Sequence, residues 1–138
     1  MFYSIETVLG LSLISLLILA ALVLLIPKLL GKKSKPAWKS KVKQRLEQLN
    51  SSKTDLKQQL IELDKTLEFT LQNKHSSPES LGSNLKKFAY LYSRNELNDI
   101  WQAHKLRNDL VHNFDYFASQ AELKRGIQIL QQAIRKEL

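Results

Sequence analysis

Cysteine is absent from the 138 residues. A disulfide framework, an iron–sulfur cluster, a thiolate zinc site and a cysteine nucleophile are therefore excluded. Histidine is scarce: His75, His104 and His112 are the whole complement. His104 with Asp109 or His112 lacks metal-ligand spacing, so neither a metal nor another cofactor is expected. Only four Gly and three Pro occur, which excludes a low-complexity linker. Gly-rich phosphate loops and a Gly-x-Ser-x-Gly elbow are missing. No segment alternates apolar with polar at period two, so strands are not expected. Acid is missing from one long stretch: Lys28 to Arg45 carries eight basic residues and no Asp or Glu. That block equals the whole formal net charge of +8. Beyond Arg45 the chain has 13 basic and 12 acidic residues. The high isoelectric point is thus a local feature, and by itself it does not point to nucleic acid.

The longest apolar run covers 8–26 and is interrupted only by Gly10, Ser12 and Ser15. At about 1.5 Å per residue it would rise roughly 28 Å, close to the thickness of a bilayer core. A single transmembrane helix is expected within 1–30. A cleaved signal peptide fits poorly, because residues 1–7 lack a basic residue and the apolar run is long. Residues 31–37, Gly-Lys-Lys-Ser-Lys-Pro-Ala, read as a basic hinge. Lys28, Lys32, Lys33 and Lys35 form a flank expected to face lipid head groups. The positive-inside rule then predicts a single-pass protein of the inner (cytoplasmic) membrane, N-terminus outside and C-terminal part in the cytoplasm.

Residues 38–138 read as an all-α, antiparallel bundle of about four helices. The first is expected over 38–72, with Val42, Leu46, Leu49, Leu56, Leu60, Leu63 and Leu67 spaced by three and four, and with Asn50-Ser51-Ser52 as a run that could kink or divide it. This heptad seam suits either a face of the bundle or a coiled coil with another chain. A loop at 73–77 precedes a helix expected over 78–92, where Leu81, Leu85, Phe88, Ala89 and Tyr92 share the buried face. Ser93 with Glu96, and Ser119 with Glu122, are capping boxes that start helices expected over 94–112 and 120–136. Asn113 suits a left-handed cap after the first of these. His75 is expected in solvent, and Phe88, Tyr90, Tyr92, Tyr116 and Phe117 in the core.

The 94–112 helix is anomalous. At about 100° per residue, His104, Asn108 and His112 share a face, with Trp101 at its flank. Polar groups thus occupy the line where an apolar stripe would run, and buried polar groups need partners.

Arg107-Asn108-x-x-x-His112 resembles the R-x4–6-H motif of the HEPN (higher eukaryotes and prokaryotes nucleotide-binding) superfamily. The string Ala-His-Lys-Leu-Arg-Asn-Asp-Leu-Val-His also resembles small bacterial membrane-anchored proteins of that type. The resemblance covers roughly 77–138. It implies a helical bundle with the motif on a late helix and, in catalytic members, metal-independent RNA cleavage at a site shared by two protomers. Arg107, Asn108 and His112 are the implied catalytic residues, with His104 and Trp101 in support. The residue types suit the chemistry. Histidine moves protons near neutral pH, and arginine holds phosphate through two donors. Arg107 and His112 point about 140° apart on a straight helix, so one helix does not aim both at one phosphate. A homodimer acting on RNA is one expected function. The other is a non-catalytic interaction or scaffold module that captures an unknown protein partner.

Overall fold

The structure, a computed structural model, describes residues 15–22, 36–51 and 55–138. The chain divides into two compact units, Met1–Lys35 and Pro36–Leu138. In the first, the described residues form one helix, α1, over 15–22.

The expected architecture is corrected at this end. Among the described residues no helix is long and apolar enough to cross a membrane. The rest of the span expected within 1–30 lies outside the described residues, as do Lys28, Lys32, Lys33 and Lys35. Among the described residues the fold is all-α, with no helix that could carry the expected single-pass placement.

The second unit holds α2 (Ala37–Ser51), α3 (Leu56–His75), α4 (Leu81–Lys87), a single 3-10 turn (Ala89–Leu91), α5 (Arg94–His112) and α6 (Gln120–Glu137). The seam expected on one helix is therefore shared by two. α2 ends at Ser51, and Asp55 restarts the chain by capping α3, its carboxylate accepting from the backbone N–H of Lys57 and Gln58. The seam closes within one chain. Val42, Leu46 and Leu49 of α2 and Leu60, Leu63 and Leu67 of α3 belong to one buried cluster, which leaves no seam for a coiled coil with another chain.

α3 is the central helix, packed against α2, α4, α5 and α6. Its Leu60, Leu63, Leu67 and Leu71 are fully enclosed. α2 runs antiparallel to it: Arg45 pairs with Glu62, and the Gln59 side-chain amide donates to the Leu49 carbonyl at 3.0 Å. α6 runs parallel to α3, with Gly126 beside Leu60 and Glu137 beside Lys74. α5 is antiparallel to both. Lys136 of α6 pairs with Glu96 near the start of α5, while Ala103 and Leu106 lie beside Gly126.

Several local expectations change. Residues 78–92 form a short α4, capped by Ser80, and then the 3-10 turn rather than one helix. α3 runs on to His75, and the left-handed residue is Ser76 at φ 49°. Asn113 is extended instead. His75 leaves solvent to stack on Phe88 at 4.2 Å between ring centroids, its Nε2 lying 3.6 Å from Glu137. Tyr90 and Phe117 are exposed, with Phe114, whereas Tyr92 is buried and its hydroxyl donates to Glu137 at 2.6 Å. Burial and that carboxylate push the Tyr92 phenol well above its ordinary range.

Gly126 lets α6 approach α3: an added Cβ would lie 2.9 Å from Leu60 Cδ1 and 3.4 Å from Leu106 Cδ2. Gly126→Val should lower stability by about 1–3 kcal/mol through overpacking. Urea unfolding measures this, and an unchanged midpoint would refute the close approach. Glu96 behaves differently. The Lys136 hydrogen bond, with the Ser93 backbone N–H and hydroxyl, lowers its pKa from 4.5 to about 2. A depressed carboxyl stabilises the fold above its unfolded value, and that contribution disappears as pH falls through the folded one. Glu96→Gln should therefore melt earlier than the wild type at pH 7 and together with it near pH 2. Thermal melts that keep the same gap at both pH values would contradict this.

Candidate functional site on α5

The capping box at the start of α5 is complete. Ser93 Oγ accepts from the Glu96 N–H at 3.2 Å, and the Ser93 N–H donates to Glu96 Oε2 at 2.8 Å. With its start fixed, α5 turns Ala103 and Leu110 into the core and carries His104, Arg107 and Asn108 along the edge that faces α3. α3 answers with Asp64, only 3% exposed among its leucines.

Four side chains join there. His104 Nδ1 lies 2.8 Å from Asp64 Oδ1. A carboxylate can only accept, so Nδ1 carries the hydrogen and Nε2 of the neutral ring is left as an acceptor. Nε2 faces Asn108 Nδ2 at 3.3 Å. Asn108 Oδ1 in turn accepts from Arg107 Nη1 at 2.8 Å. Arg107 Nε stands 3.5 Å from Asp64 Oδ2, an ion-pair distance without a hydrogen bond. One carboxylate thus compensates a histidine and an arginine, and the asparagine links them.

α4 closes one side. A Cβ on Gly82 would sit 3.5 Å from the Trp101 ring and 3.8 Å from His104 Nε2. Trp101 meets the His104 ring edge-on, 5.9 Å between centroids. On the other side Asn98, Trp101, Gln102, His104, Lys105 and Asn108 make one continuous face of α5.

The expected site residues thus divide. Arg107, Asn108, His104 and Trp101 come together. His112 does not: it is exposed at the end of α5 and has no hydrogen-bond or ion-pair partner among the described residues. Arg107 faces Asp64 while His112 lies five positions on, so the two ends of the motif do not converge within one chain. Beside His112, Val111, Phe114 and Phe117 are exposed. Among the described residues no three His, Asp or Glu side chains come together as metal ligands.

Asp64 is the residue that sequence reasoning missed. Its signal was present. It falls four after Leu60 and three before Leu67, on the apolar stripe, where a carboxylate needs a partner. No family model matches the chain, and neither a curated protein nor a solved structure is significantly similar to it.

Asp64→Ala would leave Arg107 half-buried without its counter-charge and the His104 Nδ1–H without its acceptor. A loss of about 3 kcal/mol in unfolding free energy is expected. A loss below about 0.5 kcal/mol would mean that the pair carries little of the fold.

Proposed function

We propose that the chain is a HEPN-like, metal-independent endoribonuclease that acts as a dimer. The observation that supports this reading is the Asp64–His104 pair, a histidine held by a buried carboxylate with Asn108 and Arg107 beside it. Such a pair fixes the tautomer that can take a proton.

In this reading His104 Nε2, on displacement of the Asn108 amide, accepts the proton of a ribose 2′-hydroxyl. The 2′-oxygen attacks the adjacent phosphorus, the P–O2′ bond forms and the P–O5′ bond breaks. The leaving 5′-oxygen takes a proton from a second histidine, so the products end in a 2′,3′-cyclic phosphate and a 5′-hydroxyl. Arg107, with Asn108 beside it, stabilises the negative charge that builds on the phosphate oxygens. The second histidine is His112. Within one chain it lies about 12 Å along α5 from His104, too far to serve the same phosphate. Its exposed position suits donation into the site of a second copy.

The exposed Phe114 and Phe117 favour a second reading, a module that captures a protein partner without catalysis. In that case Arg107 and His104 serve only to hold α5 on α3.

The test uses purified full-length protein with mixed-sequence RNA oligonucleotides in excess EDTA. Cleavage that leaves 2′,3′-cyclic phosphate ends is expected. It should fall about 10²–10⁴-fold in His104→Ala and in His112→Ala. No cleavage by folded dimer, or undiminished cleavage by both variants, would overturn the nuclease reading. In the second reading Phe114→Ser with Phe117→Ser abolishes partner capture while the fold persists, and retained capture would count against it.

A further inference from the structure

The two flanks of α2 differ. One meets α6, where Gln131 donates to Asn50 at 2.7 Å and Lys39 donates to the main-chain oxygen of Leu138. The other opens on a groove of about 340 Å³ that, among the described residues, only α2 and α3 line. Lys41 and Arg45, four residues apart, stand on the α2 wall. Glu62, Lys65 and Phe69, spaced by three and four, stand on the α3 wall, and buried Val42 lies at the floor. Three cations thus face one carboxylate. Glu62 is already claimed: Arg45 pairs with it, the Gln58 amide donates to it at 3.1 Å, and Lys65 lies 3.5 Å away. Lys41 has no hydrogen-bond or ion-pair partner among the described residues, and its Nζ lies 4.9 Å from the centroid of the Phe69 ring. Helix stability does not account for Lys41. α2 carries Lys39, Lys41 and Lys43 in its first two turns and no acid in the first, the order that the helix dipole disfavours. An anion beside Lys41 would relieve that repulsion.

We infer that the α2–α3 groove binds a small amphipathic carboxylic acid, with its carboxylate on Lys41 and its apolar part along Phe69 and Val42. The head group follows from the cations. The guanidinium of Arg45, whose fork suits a phosphate, is taken by Glu62, whereas the cation left over is a single ammonium, a point charge that matches one negative charge. Lys65, held to Glu62 only at 3.5 Å, stands by as a second cation. The body follows from the floor. Val42 and Phe69 are apolar, Phe69 is packed against the core and so held in place, and Thr66 spends its hydroxyl on the Glu62 carbonyl at 2.7 Å. The size follows from the volume. About 340 Å³ is near the lower end of the roughly 300–1,000 Å³ usual for small-ligand sites, enough for one short chain or ring. A neutral apolar molecule would leave Lys41 unmatched, and a bare anion would leave the floor wet. None of these residues belongs to the site on α5, so the groove stands or falls apart from the nuclease reading.

The test titrates full-length protein with octanoate and follows the methyl resonances of Val42 and Thr66 by nuclear magnetic resonance. Both should shift to saturation. Octanol, which lacks the charge, and acetate, which lacks the chain, should each bind at least about tenfold more weakly. Lys41→Ala should weaken octanoate about tenfold, and Lys41→Arg should restore most of the loss, because the charge returns. Glu62→Gln, which removes the one carboxylate of the groove, should tighten octanoate severalfold; a merely structural Glu62 predicts no such gain. Thermal melts confirm that each variant is folded. Equal binding of octanol or of octyltrimethylammonium would reduce the groove to an apolar surface, and equal binding of acetate would mean an adventitious ion only. Either result overturns the proposal, as does an absence of shifts at Val42 and Thr66 or an unchanged affinity in folded Lys41→Ala.

Discussion

A carboxylate removed from water is the constraint on which the bundle turns. Asp64 projects from the central helix with 3% of its surface exposed. An ion placed there costs several kcal/mol unless opposite charge and hydrogen bonds meet it. His104 and Arg107 meet it from forty or more residues away. The leucines of α3 are indifferent to which apolar face covers them, but Asp64 accepts only one arrangement of α5. Gly126 and Gly82 then matter because they admit neighbours close enough for that arrangement to pack.

The same contacts bear on reactivity. A histidine that serves only as packing needs no fixed tautomer. Here the Asp64 contact holds the proton on Nδ1 and leaves the other nitrogen to the Asn108 amide. Arg107 is shared between Asp64 and Asn108, so its guanidinium is oriented without being sealed off. Fold stability and proton transfer would thus draw on one set of atoms. In the proposed nuclease reading, a substitution at Asp64 has to be read through two measurements, unfolding and rate, before either effect is assigned.

Much of the bundle was legible along the chain. Both capping boxes stand where Ser93 with Glu96 and Ser119 with Glu122 placed them. The anomaly on α5 marked His104, Asn108 and His112 as polar side chains in need of partners; His104 and Asn108 have them, whereas His112 is exposed and has none among the described residues. Longer-range facts were not legible. The leucine spacing continues across Leu49 and Leu56, so periodicity reads one helix where the chain makes two, and only the Asn50-Ser51-Ser52 run marked the place of division. His75 looked solvated in a polar loop because Phe88 and Glu137 come to it through tertiary packing. Phe117 looked like core because an aromatic ring carries no mark of the side it faces, and it proved exposed. The apolar run near the N-terminus suggested a transmembrane helix, yet among the described residues no helix is long and apolar enough to span a membrane.

A second buried carboxylate completes the pattern. Glu137, at the last turn of α6, receives the Tyr92 hydroxyl and lies 3.0 Å from Lys74 Nζ near the end of α3. Lys74 is ten residues beyond Asp64, about 15 Å along the helix. Leucine layers tolerate a slip of one helical turn, about 5.4 Å, because ridges and grooves repeat at that interval. Two ionic pins set far apart on one rod do not. A slide of α3 against α5 and α6 would part both pairs together and bury their charges alone. The two carboxylates therefore act as a vernier, and they select one register from a ladder of settings that the apolar core cannot tell apart.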